Sequence, residues 1–408
     1  MSLARGAEIA VVYGGGLAQG LALVSFPAAA TILTAADGYG FSSNQYGSIF
    51  LPLFIGSVLA SLLAPTLARW KGLKAVLLAG FGCNAVSMGT FALSSTLAGS
   101  PLVAFAMILV ATGLLGIGFG STLTAINAYA ASFFPNRSET AITALHTLLG
   151  TGTALAPLIV SLLSDGGGWW LLPLAIAIAA VILALVALTQ PLILATATGA
   201  ASLGAFEVAR ALPRRFWIWI AFALLYGICE TLFGNWGTVY LHQQRALLDA
   251  TANLALAVFW AAVTIGRLLV ALLSTRISPL LIFRALPVLI TAALVCVAWS
   301  SSAVFGVAAF ALAGLACSAC LPLSIGTASS ETPRFVETAS GWMVAAYMIG
   351  YGIGAFAVGP LRQLADLQLS EVYFGAAAIA VLLIVLANVL VAGSRAGTAP
   401  NSAASTRH

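Results

Sequence analysis

The stretch RRFWIWIAFALLYGICETLFGNWGTVYL, Arg214 to Leu241, decides how the chain is read. It opens on two cations and continues as an apolar segment long enough to cross a bilayer, since a hydrocarbon core about 30 Å thick takes about 20 residues of α-helix. One carboxylate, Glu230, stands in the middle of it. A charge at bilayer depth is costly and is kept where it faces a polar interior or a pathway, so its default meaning is functional.

Outward from this segment the rest of the chain has the same character. Of 408 residues, 61% are hydrophobic and 7% charged, where a soluble domain is roughly 45–50% apolar and about 25% charged. Continuous apolar runs, rather than short alternating strands around an aqueous lumen, exclude a barrel. The first run, Glu8 to about Thr34, is too long for a signal-peptide core of roughly 7 to 15 residues and is read as a retained helix. Breaks at charges, Gly, Pro and polar clusters give helices near 8–34, 44–68, 74–95, 101–131, 139–164 and 169–190. Six more fall near 214–241, 249–274, 279–299, 303–328, 333–361 and 370–393. The sequence thus predicts an all-α polytopic membrane protein with a six-helix bundle over 1–190, a polar linker over 191–213, a second bundle over 214–393 and a tail over 394–408.

The 16 Lys and Arg exceed the 11 Asp and Glu, yet their placement argues for topology and not for nucleic acid. With the amino terminus inside, thirteen cations fall on the cytoplasmic side, Arg245 and Arg362 fall outside, and Arg267 sits within a helix. Lys and Arg are retained in the cytoplasm, so both termini are expected there, in a multi-pass protein of the bacterial inner membrane. The five cysteines lie in apolar runs and read as small buried residues. Cys317 and Cys320 have a redox-like spacing but lack the soluble strand-helix context that gives it meaning.

The two halves are weakly alike, as parallel six-helix repeats are. The fifth helix carries Gly150, Gly152 and Pro157, and the eleventh carries Gly350, Gly352, Gly354 and Pro360 in the corresponding place. Gly lets helices approach closely and Pro opens the backbone ladder, which suits elements that rock against each other.

With these residues in view, the chain resembles the major facilitator superfamily, with the greatest likeness to its fucose permease-like branch. Tyr226-Gly227-Ile228-Cys229-Glu230 followed by Asn235-Trp236 looks like that branch's seventh helix, and Phe259-Trp260 with Gly266-Arg267 like its eighth. The resemblance implies two six-helix bundles around a central cavity lined by the first, fourth, seventh and tenth helices. Two departures limit it. The loop after the second helix reads Pro65-Thr66-Leu67-Ala68-Arg69-Trp70-Lys71-Gly72-Leu73-Lys74, with Arg69 where the superfamily has its gate Asp. The carboxylates that fucose permease carries in its first and fourth helices have no counterpart here, so fucose is not implied. The Gly-Pro signature of the superfamily's drug antiporters is reproduced poorly by Gly150 to Pro157.

Glu230 lies about sixteen residues into its helix, roughly 24 Å along it at 1.5 Å per residue, close to the midplane, where transporter sites lie. A carboxyl whose surroundings alternate between dry and wet can bind and release a proton. Glu230 is therefore expected to couple protons or anchor solute; the bland alternative is a fixed carboxylate that only holds helices together. Arg267, the one cation inside an apolar run, sits nearer the cytoplasmic side, where capping carbonyls or pairing with a loop acid is as well supported as binding solute. From the cavity helices of the resemblance come Gln19 and Ser25, Thr124 and Asn127, and Thr231, Asn235 and Trp236. The two Asn side chains could bond solute hydroxyls and Trp236 could stack on a sugar ring; each amide could equally bridge helices. His146 reads as a packing residue. Tyr347 and Tyr351, four apart, share a face with an aromatic-wall reading open, but lipid-facing or interfacial placement is the expectation.

No Gly-rich phosphate loop occurs, so ATP drive is not expected, and three His residues form no metal-type cluster. No cofactor, metal or enzymatic activity is expected. The function expected is secondary transport of a small polar solute such as a sugar, coupled to protons, by alternating access. Efflux of amphipathic compounds and a non-transporting solute sensor are the alternatives.

Overall fold

The structure, a computed structural model, describes residues 6–164, 166–193, 210, 212–332 and 336–397. Most of the expected linker (191–213) and tail (394–408) lies outside them. No strand occurs among the described residues. Twelve helices there are long and apolar enough to cross a membrane: α1 Gly6–Thr34, α2 Ser43–Lys71, α3 Leu73–Leu97, α4 Pro101–Phe133, α5 Thr140–Ser164, α6 Leu171–Thr189, α7 Phe216–Gln244, α8 Asp249–Leu273, α9 Pro279–Ala298, α10 Ala303–Glu331, α11 Ala339–Ala365 and α12 Leu369–Ala392. Each expected apolar run becomes one of these, because a chain in hydrocarbon must satisfy its backbone internally.

Helix boundaries follow local chemistry. Ser42 and Gln45 form a reciprocal cap at the start of α2, each side chain bonding the other's backbone N–H, which satisfies two of the donors a helix start leaves open. Gly72, at φ +84°, breaks the ladder between α2 and α3, a left-handed turn that glycine adopts without steric cost. Pro101 starts α4, where its missing N–H costs nothing.

Packing repeats between the halves. The pairs α1–α5, α2–α4 and α3–α6 of the first half recur as α7–α11, α8–α10 and α9–α12 in the second, each offset by six helices, while the extensive α3–α4 contact of the first half has a weaker counterpart in α9–α10. The halves meet along α2–α11 and α5–α8. In bilayers, where no hydrophobic drive separates helix from lipid, association relies on close van der Waals approach through small residues. The repeated glycines supply it: a Cβ on Gly152 would lie 2.4 Å from the Leu17 carbonyl oxygen on α1, and one on Gly350 would lie 1.9 Å from the Leu224 carbonyl oxygen on α7. Large side chains such as Leu62, Leu63 and Leu185 cover the outside, which hydrocarbon accepts and water would not.

Two helices depart from regular geometry. In α7 the ladder widens to π-type turns over Leu232–Trp236 and again over Tyr240–Gln244. In α10 the helix is interrupted at Ser318 and Ala319, between Cys317 and Cys320. Such interruptions free carbonyls and recur at functional sites.

Candidate functional site

A hollow of about 50 Å³ lies between the halves. From the first half α1 contributes Leu23, Val24 and Pro27, α2 contributes Phe50, Leu53, Phe54 and Ser57, and α4 contributes Phe119. The second half contributes Asn235 of α7, Trp260 of α8, and Tyr347, Met348 and Tyr351 of α11. Its walls thus come from α1, α2, α4, α7, α8 and α11; the tenth helix, expected in the lining, does not contribute, and α2, α8 and α11 do. A larger concavity of about 460 Å³ on the flank of the first half is lined only by apolar residues of α1, α5 and α6. Lacking any group to orient a polar solute, it is not the candidate.

The π-type turn of α7 builds the second-half wall. It turns Asn235 into the hollow, where the Tyr351 hydroxyl donates to Asn235 Oδ1 at 3.3 Å. Gly234 makes room, since a Cβ there would lie 2.4 Å from the Tyr351 hydroxyl oxygen and 3.2 Å from the Trp260 ring. The Tyr347 ring packs against Tyr351 and stacks on Tyr226, with centroids 5.8 and 5.7 Å apart. Tyr347 and Tyr351 are therefore wall residues and not the lipid-facing aromatics the sequence favours. What sets their direction is the close α7–α11 approach, which turns this face of α11 inward.

Glu230 is 3% exposed and is not itself in the wall. It stands directly behind Tyr347, whose hydroxyl donates to Glu230 Oε2 at 2.7 Å. A direct contact between this carboxylate and a solute is not made in this conformation; the phenol intervenes.

The other expected residues fall into three groups. Asn235 lines the hollow. Trp236 turns the opposite way: its indole N–H donates to the Ala355 carbonyl at 3.0 Å and its ring meets Tyr46 edge-on at 5.1 Å, so it joins the halves and does not face solute. Gln19, Thr124, Asn127 and Arg267 lie away from the wall. Gln19 accepts from Asn84 Nδ2 at 2.7 Å inside the first bundle, with Thr122 on the same amide at 3.3 Å. Thr124 bonds its own helix at the Gly120 carbonyl, and Ser25 does the same at Leu21. Asn127 Oδ1 pairs with His146 Nε2 at 3.0 Å between α4 and α5. Arg267 donates from Nε to the Ser318 carbonyl at 3.2 Å, one of the groups that the break in α10 frees. No ion pair joins it to Glu230 among the described residues.

The face opposite the termini is closed by contacts between the halves. The Tyr46 hydroxyl donates to the Asn235 carbonyl at 2.7 Å, and Thr238 donates to the Pro27 carbonyl at 3.1 Å. Arg362 of α11 bonds Ser43 of α2. Backbones meet there as well: a Cβ on Gly359 would lie 2.7 Å from Asn44 Cα and Ser43 O.

Two six-helix halves that repeat each other's packing around a central hollow are the plan of one group of membrane carriers, and the Major Facilitator Superfamily pattern matches residues 12–355. The chain belongs to the Major Facilitator Superfamily. It is a multi-pass membrane transporter of that family, as its resemblance implied. No curated protein sequence matches it. Among solved structures, the nucleoside transporter NupG superposes with TM-score 0.74 at 18% identity over 94% of this chain and 98% of that one. The D-xylose-proton symporter gives 0.74 at 14%, covering 93% and 96%. The E. coli fucose:proton symporter, FucP, gives 0.62 at 15%, covering 94% and 98%. At such identities the likeness is one of fold: all three share the major facilitator architecture, and none transfers its solute.

Tyr347 and Tyr351 take the aromatic-wall placement that the sequence left as the less favoured alternative, and the contributions that sequence reading missed are Tyr46 and Asn84. Asn84, a lone amide in an apolar run, is a signal the sequence does carry. Tyr46 gives none, being one aromatic among many at a helix end.

Proposed function

We propose that this protein is a secondary active transporter that carries a small solute through the hollow between its halves by alternating access, with proton movement at Glu230 as the drive. The observation that supports it best is the hollow itself: it draws its walls from both halves, and a carboxylate stands one side chain behind it. A site shared by two rigid halves is one whose access changes when they rock. The cation count favours the closed face being the outer one. Two of the proteins with this fold are named proton symporters, which favours protons as the coupling ion without naming the solute.

The hollow has about 50 Å³ of space, enough for a few waters and far below the roughly 300–1,000 Å³ of small-molecule sites. Solute binding therefore entails widening. Tyr347 and Tyr351 lie where such widening is felt, and Tyr347 passes it to Glu230 through its hydroxyl. A carboxylate that loses this donor while staying in a dry site takes up a proton more readily.

A second reading, export of an amphipathic compound, is favoured by the first-half wall, where every residue but Ser57 is apolar. Counterflow and proton-gradient-driven flux in oriented vesicles separate the two by direction. Uptake driven by an inward proton gradient and collapsed by a protonophore supports import; accumulation in inverted vesicles supports export. Flux that ignores the gradient in both orientations removes the coupling.

A further inference from the structure

We propose that the hollow selects an uncharged solute with a planar apolar body and hydrogen-bond acceptors along one edge, held by the amide of Asn235 and the indole N–H of Trp260. This rests on the transport reading only in taking the hollow as the solute site. Of the thirteen lining residues five carry polar side chains. The Ser57 hydroxyl donates to the Phe54 carbonyl at 3.0 Å, the Tyr347 hydroxyl to Glu230, and the Tyr351 hydroxyl to Asn235 Oδ1. Two donors are left, Asn235 Nδ2 and Trp260 Nε1, both buried and without a hydrogen-bond partner. Asn235 is 3% exposed. Buried polar groups are normally paired, so a persistent exception needs an explanation; two on one wall of one hollow point to an occupant that brings acceptors.

The rest of the wall sets the body of that occupant. Phe50, Phe54, Phe119, Trp260, Tyr347 and Tyr351 surround the space with rings. Aromatic walls reward a flat apolar partner by burial and by offset or edge-on ring contact. Charge is disfavoured on both signs. Among the described residues no Lys or Arg lines the hollow to receive an anion. The nearest acid, Glu230, is screened from a cation by Tyr347. An unpaired charge in such a place is expensive. A polyhydroxylated solute fares little better, because each hydroxyl brings a donor and the wall offers few free acceptors. Both free donors ride on α7 and α8 of the same half, so their relation is preserved when one half rocks against the other and the hollow widens.

The test is binding to the detergent-purified full chain, read by thermal shift and by isothermal titration. Coumarin, 1,3-dimethyluracil and caffeine serve as planar uncharged acceptors; xylose, benzoate and tetramethylammonium serve as polyol, anion and cation. At least one of the first three is expected to raise the melting temperature, as a ligand of the native state does, and none of the second three. Trp260→Phe keeps the ring and removes the donor, and is expected to weaken that binding about tenfold, the worth of one well-made hydrogen bond. Asn235→Ser is expected to act in the same direction and stands in if Trp260→Phe does not fold. The proposal is overturned if none of the three neutral probes stabilises the protein, if xylose or an ion does so through the same two side chains, or if both variants bind as well as the parent. Binding of a neutral probe with no translocation in vesicles would leave this inference standing and remove the transport reading. Translocation of xylose with no neutral binding would do the reverse.

Discussion

The Tyr347 hydroxyl donates to Glu230 Oε2 at 2.7 Å while its ring lines the hollow, so one side chain touches both the solute space and the intramembrane carboxylate. Removing the hydroxyl and keeping the ring separates those duties. Tyr347→Phe is expected to retain solute binding within about threefold and to cut gradient-driven accumulation about tenfold or more, because a hydrogen bond to a charged group contributes about 1.5–3 kcal/mol. Glu230→Gln is expected to go further: exchange of solute across the membrane persists while the response to an imposed proton gradient vanishes. Accumulation by Glu230→Gln at the native proton ratio sinks the coupling role.

The seal on the face opposite the termini contains contacts that can be removed one at a time. Gly359 lies with the Asn44 backbone 2.7 Å from where a Cβ would be, closer than real Cβ atoms come, so Gly359→Val forces α2 and α11 apart there. Tyr46→Phe removes the bond to the Asn235 carbonyl, worth about 0.5–1.5 kcal/mol. Both changes shift the population toward a state open on that face. The expected readout is faster reaction of a membrane-impermeant maleimide with Thr238→Cys, about fivefold for a bias of about 1 kcal/mol and more for Gly359→Val. Unchanged labelling in both shows that the seal is held elsewhere.

The glycines at helix crossings predict a stability contrast. Gly350 faces the Leu224 carbonyl with no space for a methyl group, whereas Gly375 has nothing within 4 Å of its Cβ position. Gly350→Ala must push α7 and α11 apart and is expected to cost about 1–3 kcal/mol, as overpacking does. Gly375→Ala is expected to stay within about 0.5 kcal/mol. Thermal unfolding in detergent reads the difference; equal melting temperatures contradict the close crossing.

Much of the fold was legible because hydrocarbon thickness imposes one length on every spanning segment, and the glycines at 152 and 350 mark equivalent crossings in the two halves. The site was legible in part. Glu230 and Asn235 stand out as polar residues in an apolar run. The widened turn of α7 has no sequence pattern, and within it Asn235 lines the hollow while Trp236 donates to the Ala355 carbonyl. Tyr347 and Tyr351 were read as lipid-facing because aromatics at helix faces carry no mark of which side packs inward. Gln19, read as a cavity residue, finds its partner in Asn84, and amides bridging helices have the same composition as amides binding solute.

Arg267 gives the sharpest test of position against identity. An intramembrane cation about five turns along the helix after the start of α8 invites pairing with the intramembrane acid, yet its Nε bonds the Ser318 carbonyl at the break in α10, and Gly266 beside it lets Ser318 approach to 2.5 Å of its Cβ position. The same break leaves the Cys317 carbonyl to the Tyr226 hydroxyl at 2.8 Å. Arg267 therefore holds an interrupted helix, and its removal acts on stability before coupling. Arg267→Gln, which keeps a donor at similar reach, is expected to lower stability by about 1 kcal/mol, the worth of one exchanged hydrogen bond, and to leave gradient-driven accumulation within about threefold. Arg267→Leu removes the donor, and leaving a buried carbonyl unmatched costs about 1–3 kcal/mol. A melting temperature that is unchanged in both variants, together with lost proton coupling, reverses this assignment and makes Arg267 the charge partner of Glu230.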